Sequence, residues 1–339
     1  MPKKILVTGA AGYIGSHTCV ELLQAGYDVV ALDNLSNSSR ESISRVEKIT
    51  GKSIPFHEAD VRERSSLDAI LRAHPIDAAI HFAGLKAVGE SVAKPLLYFD
   101  NNVTGTVVLL QALADAGVKR FVFSSSATVY GDPESLPLKE SARLSVTNPY
   151  GRSKLMVEEI LEDLRLADAE WNLGVLRYFN PVGAHESGTI GEDPADVPNN
   201  LMPFVAQVAG GRRPTLSIFG NDYPTVDGTG VRDYIHVVDL ARGHVAALNR
   251  LFSTHGSYTV NLGTGRGYSV MQLVKAFEAA SGCTIQYEIG PRRPGDIASC
   301  YAAPDAAREL LGWVAEKTLD EMCADHWRWQ RQNPQGYRA

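Results

Sequence analysis

A serine, a tyrosine and a lysine have the spacing in this 339-residue chain that most directly suggests chemistry. Tyr150 and Lys154 are four residues apart, so a helix would place them on one face. A free tyrosine, with a pKa of about 10, is a poor base at neutral pH, but a neighbouring ammonium and a helix N-terminus both favour the phenolate. Ser126 ends the run RFVFSSS (120–126), where its hydroxyl could hydrogen-bond a reacting oxygen. Each feature alone is common on a solvated helix or at a strand end. Together they predict a tyrosine base that takes a proton from a substrate.

A glycine-rich turn near the start of the chain indicates a nucleotide site. Gly9, Gly12 and Gly15 follow the apolar run KILVT (4–8) and lead into a helical pattern, which would bring backbone N–H groups to a pyrophosphate. Their spacing differs from the usual GxGxxG, and a tight turn that merely needs glycine is the alternative. Asp33 ends the next apolar run, where an acid can bind a ribose hydroxyl and repel a 2′-phosphate. The pattern therefore favours NAD over NADP.

The elements that must position these residues alternate between strands and helices. A helix is expected over 13–25 with Gly26 as its cap, and another begins with Asn148 as N-cap and Pro149 in the first position. Apolar runs rather than alternating patterns are typical of strands buried on both faces. The predicted strands are 4–8, 28–33, 54–60, 78–83, 120–125 and 174–179. This order predicts an α/β fold with a doubly wound parallel sheet of the Rossmann type.

Beyond about residue 180 the chain changes in character. Segments 181–203 and 210–233 are rich in Gly, Pro, Asn and Asp, which favours ordered loops around a ligand. A strand-like run over 258–263 and a helical pattern over 269–281 follow. We expect this part to return to the sheet before a smaller α/β lobe.

Composition and charge exclude several classes of protein. With 44% apolar and 21% charged residues, the chain is typical of globular domains and not of disordered ones. The sequence contains no run of 18 apolar residues, which a membrane-spanning helix would need. The first residues are not expected to form a signal peptide. The net charge is −6 and no basic run reaches five residues, so the charge pattern argues against nucleic acid as a partner. Four separated cysteines suggest reduced thiols in the cytoplasm, and the nine histidines show no HExxH metal pattern.

Several longer strings identify the chain more closely. With the glycine turn, Asp33, Ser126, Tyr150 and Lys154, the sequence resembles an extended short-chain dehydrogenase/reductase. Over nearly its whole length it is similar to the UDP-glucose 4-epimerase (UDP-galactose 4-epimerase) family. The strings that carry this resemblance are HFAGLKAVGES (81–91), SSSATVYGD (124–132), PYGRSKLMVE (149–158), RYFNPVGAH (177–185), PNNLMP (198–203) and GTGVRDYIHV (228–237).

The resemblance implies a role for particular positions. Ser126, Tyr150 and Lys154 match the catalytic residues. Besides the three glycines, the implied NAD contacts are Tyr13, Ile14, Asp33, Asn34, Asn37, Ser38, Asp60, Val61, Phe82, Ala83, Gly84, Lys86, Asn101, Lys154 and Phe179. The implied UDP-sugar contacts are Lys86, Ser126, Tyr150, Tyr178, Asn180, Asn200, Leu201, Ser217, Ile218, Phe219, Arg232, the stretch Arg293–Asp296, and Cys300. Cys300 stands where several family members carry a tyrosine, which puts the sugar specificity in question.

The implied reaction is C4 epimerisation of UDP-glucose and UDP-galactose through a 4-keto intermediate, extended by Cys300 to the N-acetylated sugars. Residues 1–180, with a returning segment at about 232–266, would form the NAD-binding Rossmann domain, and 181–339 the UDP-sugar lobe. The resemblance also implies a homodimer. The alternatives are another nucleotide-sugar epimerase, a 4,6-dehydratase, a plain NAD-dependent dehydrogenase and a non-enzymatic NAD sensor. A dehydratase would need an acid pair after Ser126, where this chain has Ala127 and Thr128.

Overall fold

A parallel sheet of seven strands forms the centre of the molecule. The computed structural model describes residues 2–195, 198, 200–293 and 296–338. In the sheet the strands lie in the order β11-β6-β5-β4-β1-β2-β3, all parallel. They comprise β1 Lys4–Thr8, β2 Asp28–Asp33, β3 Phe56–Glu58, β4 Ala78–His81, β5 Arg120–Ser126, β6 Asn172–Tyr178 and β11 Tyr258–Leu262. The chain leaves β1 toward β2 on one side and later returns to β4 on the other, so ligands are expected at the carboxyl ends of β1 and β4.

Helices cover both faces of this sheet. On β1, Ile5 and Val7 pack into one core and Leu6 into another on the opposite face, as buried parallel strands require. The flanking helices are α1 Tyr13–Gln24, α2 Arg40–Thr50, α3 Arg64–Ala73, α4 Val88–Ala93, α5 Pro95–Tyr98, α6 Gly105–Asp115, α7 Pro149–Ala167 and α9 Val237–Ser253. A π-helical turn, Phe99–Thr104, precedes α6, and a 3₁₀ turn, Ala127–Tyr130, follows β5. The predicted fold class, a doubly wound parallel sheet, is confirmed.

Several predicted boundaries differ from the structure by one or two residues, and two of these differences have a clear physical reason. The strand expected over 54–60 is only β3, because it is an edge strand that pairs with β2 alone and Pro55 has no N–H to donate. Helix α1 ends at Gln24 with Ala25 as its cap, and Gly26 follows with a φ of 89° that suits glycine.

The later part of the chain builds small sheets beside the large one. The pairs are β7 Asn180–Val182 with β10 Tyr234–His236, and β8 Leu216–Phe219 with β13 Tyr287–Gly290; β9 Val231–Arg232 lies between β12 Tyr268–Ser269 and β14 Ser299–Cys300. Helices α8 Leu201–Ala209, α10 Val270–Ser281 and α12 Leu319–Gln332 enclose a third core, and α11 Asp305–Leu311 packs near β11. Among the described residues, we find no helix with the length and apolar character to span a bilayer.

Candidate functional site

A cavity of about 650 Å³ opens at the carboxyl ends of the central strands. It brings together most residues that the sequence assigned to a cofactor, two of the three catalytic residues and one further substrate residue. The predicted residues in its wall are Gly9, Gly12, Tyr13, Ile14, Gly15, Asp33, Asn34, Asn37, Ser38, Val61, Phe82, Ala83, Gly84, Lys86, Asn101, Tyr150, Lys154 and Tyr178.

The glycine turn is packed too closely for larger residues. Gly9 has a φ of 67°, and a Cβ there would lie 2.6 Å from the backbone nitrogen of Ala83. A Cβ on Gly15 would lie 2.2 Å from the carbonyl oxygen of Gly9, so glycine allows α1 to start directly beside the strand end. The first N–H groups of a helix have no partner within the helix. Here they face a cradle that a Cβ would fill, which fits a pyrophosphate.

Asp33 holds the loops on both sides of this cradle. Its Oδ2 accepts from Ala11 N at 2.9 Å, and its Oδ1 accepts from Leu35 N at 2.9 Å and from Ser38 Oγ at 2.8 Å. A carboxylate has about four acceptor positions, so one is left for a ribose hydroxyl. The free acceptor position of Asp33 therefore fits a hydroxyl group of the adenosine ribose of NAD. Asp60 lies outside the cavity wall, where it accepts from Asn34 Nδ2 at 3.0 Å and pairs with Arg62 at 2.8 Å.

The N-terminus of α7 presents the tyrosine. Asn148 caps the helix through Gly151 N at 2.9 Å and Pro149 takes its first position, as predicted. Tyr150 is buried, and the neighbouring Ser126 hydroxyl lowers its pKa against the larger effect of burial. Ser126 Oγ already accepts from Thr128 N at 3.2 Å and from Thr128 Oγ1 at 3.0 Å. Its own proton is therefore left to donate to the phenolic oxygen, the direction that stabilises a phenolate.

Burial governs the two titrating groups of the helix. It raises the pKa of Tyr150, and the Ser126 hydrogen bond opposes it. The sequence-based reasoning named only groups that favour the phenolate, and it did not include burial, which is the largest effect on this pKa in the chain without NAD. Burial also lowers the pKa of Lys154 to about 8, against the opposing effect of Glu158. Lys154 Nζ donates to the carbonyl oxygen of Ser124 at 2.8 Å, which ties α7 to β5.

Sequence reasoning missed two residues near Tyr178, namely Ser124 and His244. Ser126 pairs with Tyr178 across β5 and β6, and the Ser124 side chain lowers the pKa of the Tyr178 hydroxyl against the larger effect of burial. Ser124 Oγ lies 2.8 Å from His244 Nε2, while His244 Nδ1 lies 2.9 Å from the carbonyl oxygen of Leu240. Because a carbonyl only accepts, Nδ1 carries the proton and Ser124 donates to Nε2. Strand alternation could have indicated Ser124, which shares a sheet face with Ser126, but no sequence signal indicated His244.

Most predicted UDP-sugar residues lie outside the wall of this cavity, in the part built by the small sheets. Arg232 and Cys300 are neighbours across β9 and β14. Arg232 Nη1 donates to the carbonyl oxygens of Val231 and Ile297, both at 2.9 Å, and Nη2 lies 3.4 Å from Asp296 Oδ1. The Arg293 guanidinium lies 3.8 Å from the centre of the Phe219 ring. These arginines are thus held by few charged partners, which leaves donor capacity for a diphosphate.

The remaining predicted residues have varied surroundings. Ser217 is exposed on β8, whereas the side chain of Ile218 packs into the third core. Asn180 lies on β7, Asn200 precedes α8, and Leu201 begins it. Phe179 is buried in a separate cluster with Val129, Tyr130 and Leu138, and is not part of the cavity wall. Pro294 and Gly295 of the stretch Arg293–Asp296 lie outside the described residues, as does Asn199 of the PNNLMP string.

A third residue that the sequence did not reveal is Glu192. It is buried in the cavity wall, where Oε1 accepts from Lys86 Nζ at 3.1 Å and from Asn200 Nδ2 at 2.8 Å. The only sequence signal was its position in the loop-rich segment 181–203, which was expected to surround a ligand.

Fold and site together place the chain in the class of extended short-chain dehydrogenases/reductases. A family model described as GDP-mannose 4,6 dehydratase matches residues 6–326. The UDP-glucose 4-epimerase of Bacillus subtilis (strain 168) is 62% identical over 335 residues, which cover 99% of each chain. The crystal structure of UDP-glucose 4-epimerase from Bifidobacterium longum in complex with NAD+ and UDP is 54% identical, with a TM-score of 0.96 over 98% of this chain and 100% of that one. The UDP-Glc/GlcNAc 4-epimerase from Campylobacter jejuni is 37% identical, with a TM-score of 0.85 over 97% of this chain and 99% of that one. The chain belongs to the UDP-glucose 4-epimerase family.

Proposed function

We propose that this protein interconverts UDP-glucose and UDP-galactose by inverting C4 through a 4-keto sugar, with NAD as a tightly bound cofactor. The observation that carries the proposal is the buried Tyr150, which lines the same cavity as the glycine turn and whose pKa the Ser126 hydroxyl lowers against the larger effect of burial. The similarity of this chain to UDP-glucose 4-epimerases over nearly the full length of both chains supports the substrate class.

The chain's own residues account for the proton transfers. NAD, when bound, supplies a hydride acceptor that returns the hydride within the turnover, together with a positively charged ring. Tyr150 removes the proton of the 4-hydroxyl group, and the proton that Ser126 donates to the tyrosine oxygen stabilises the phenolate that acts as the base. Lys154, fixed on the carbonyl oxygen of Ser124, supplies an ammonium behind the tyrosine. The keto sugar turns on its UDP anchor, and Tyr150 gives the proton back when the other face is reduced.

The second candidate function is that of a 4,6-dehydratase, because the matching family model is described as GDP-mannose 4,6 dehydratase. That reaction would need an acid pair directly after Ser126, by resemblance to such enzymes. This chain has Ala127 there, and Thr128 donates both its N–H and its hydroxyl to Ser126. The chemistry of these side chains therefore supports epimerisation.

The substrate range includes the N-acetylated sugars in this proposal. Cys300 is half-buried on β14 next to Arg232, and burial raises the pKa of its thiol to about 11, so it is a neutral, small side chain at neutral pH. A tyrosine would fill space that cysteine leaves for an acetyl group. The UDP-Glc/GlcNAc epimerase among the relatives supports this extension.

The protein acts as a homodimer in this proposal. Apolar side chains are exposed on neighbouring helices, with Val92 on α4 63%, Leu96 on α5 80% and Met156 on α7 36% exposed. An apolar patch of this kind is typical of a surface that another protein covers. Light scattering of the wild type and of Leu96→Glu tests it: a dimeric mass that falls to the monomeric mass supports this face, and a monomeric wild type contradicts the dimer.

The two parts of the chain and the cellular compartment are proposed here as the sequence predicts them. Residues 1–180 with the returning segment at about 232–266 bind NAD, and residues 181–339 bind the UDP-sugar. All four cysteines are free, which supports a reducing compartment such as the cytoplasm.

Product analysis by NMR tests the proposed activity. The protein is incubated separately with UDP-glucose, UDP-galactose and their N-acetylated analogues, without added reductant, and Tyr150→Phe is the matched control. Formation of the C4 epimer by the wild type alone supports the proposal. A 4-keto-6-deoxy sugar would instead identify a dehydratase, and accumulation of NADH a dehydrogenase.

A further inference from the structure

Glu192 is a buried carboxylate that the proposed mechanism does not use. Its side chain is only 2% exposed although it belongs to the wall of the cavity. Its Oε2 has no hydrogen-bond partner among the described residues. An unpartnered oxygen of a buried charged group costs stability, so its place in the cavity wall points to a role other than folding.

The other oxygen of Glu192 joins two segments that are distant in sequence. Lys86 reaches it from the loop that follows β4, and Asn200 reaches it from the N-terminus of α8. The sequence assigned Lys86 to both the cofactor and the substrate, and Asn200 to the substrate. Glu192 therefore connects the two parts of the proposed binding region.

These contacts determine what each partner presents. A carboxylate only accepts hydrogen bonds, so Asn200 must direct its amide nitrogen to Glu192, and its carbonyl oxygen is left as an acceptor for another group. Lys86 has a long side chain that is 41% exposed. The ion pair limits the positions that its ammonium can take.

We propose that Glu192 is a positioning residue for the nucleotide-sugar: it holds the Lys86 ammonium and the Asn200 amide in place before the ligand binds. The inference rests on the proposed function. Because the Glu192 side chain is almost fully buried, it acts through its two partners and needs no contact with the ligand. Groups ordered in advance do not have to be immobilised on binding, so the benefit is expected mainly in affinity.

Glu192→Gln tests the proposal with a side chain of nearly the same shape and no charge. We expect the KM for UDP-galactose and the calorimetric Kd for UDP to rise about tenfold, the scale of ordering two side chains on binding. The kcat should stay within about threefold, and the melting temperature should be unchanged or higher because a buried charge is removed. Glu186→Gln, an exposed glutamate on the same segment, is the matched control and should leave all four quantities unchanged.

A double-mutant cycle with Lys86→Met shows whether Glu192 acts through the lysine. If it does, the double variant has the same Kd for UDP as the single variant that binds UDP more weakly. Unchanged KM and Kd in Glu192→Gln, or a lower melting temperature with unchanged affinity, would overturn the proposal, as would fully additive effects in the cycle. A wild type that binds UDP but epimerises neither UDP-hexose would refute the proposed function instead, while the UDP affinities would still decide the role of Glu192.

Discussion

Removing the hydroxyl of Ser126 gives the sharpest test of how this site activates Tyr150. The two donors of Thr128 occupy the acceptor positions of Ser126 Oγ at 3.2 and 3.0 Å, so the serine proton is left for donation to the tyrosine. That hydrogen bond lowers the pKa of Tyr150 against the larger, opposite effect of burial. Ser126→Ala therefore leaves burial unopposed, and the pKa of Tyr150 rises further.

The size of this effect follows from the strength of a hydrogen bond to a charged acceptor. Such bonds contribute about 1.5–3 kcal/mol. This corresponds to a rise of about one to two units in the pKa of Tyr150. At neutral pH, where the tyrosine must lose its proton to act as a base, kcat should fall by roughly 10- to 100-fold.

The assay is the pH dependence of kcat for UDP-galactose. In Ser126→Ala the rise of kcat with pH should move toward alkaline pH, so that the variant approaches the wild type as pH increases. Ser126→Thr keeps the hydroxyl and should keep most of the rate. A loss of rate that is the same at every pH, or no loss at all, would refute this explanation of how Ser126 acts.

Three further predictions concern the base Tyr150, the pocket residue Cys300 and the buried histidine His81. Tyr150→Phe should lower kcat at least about a hundredfold while NAD released on denaturation stays at the wild-type amount; near-normal turnover would remove Tyr150 from the role of base. Cys300→Tyr should lower kcat/KM for UDP-N-acetylglucosamine by about tenfold or more, since overpacking costs about 1–3 kcal/mol, and spare UDP-glucose; equal losses for both would show that Cys300 does not gate the pocket. Burial lowers the pKa of His81 to about 3, below that of an unfolded histidine. The unfolded chain thus binds the proton first, and the free energy of unfolding should decline from about pH 6.5 toward pH 3 by up to about 1.4 kcal/mol per unit for this group. Urea unfolding of His81→Gln should show a shallower decline, and an unchanged slope would contradict the assignment.

Local patterns in the sequence carried much of the fold. The apolar runs at 4–8 and 28–33 coincide with β1 and β2, because strands buried on both faces need continuous apolar sequence. Asn148 and Pro149 marked the start of α7, since capping depends on residues adjacent in the chain. By contrast, the end of the run at 54–60 depends on pairing at the sheet edge, which a local pattern does not contain.

The electrostatics of the site could not be predicted in the same way. The direction of the pKa shift of Tyr150 depends on how deeply the folded chain buries it, and that results from contacts throughout the structure. His244 and Glu192 were missed for a related reason. His244 meets Ser124 across 120 positions of sequence, and Glu192 meets Lys86 across 106. Pairings of such separation leave no periodic signal in a single sequence.

The measurement that tests the account most directly follows a label at C4. UDP-galactose carrying deuterium at C4 is converted by the protein in ordinary water, and the UDP-glucose formed is analysed by NMR and mass spectrometry. If C4 is oxidised and reduced within one turnover, the product keeps its deuterium at C4 and no NADH accumulates. A product that carries hydrogen from the solvent at C4 would contradict the account.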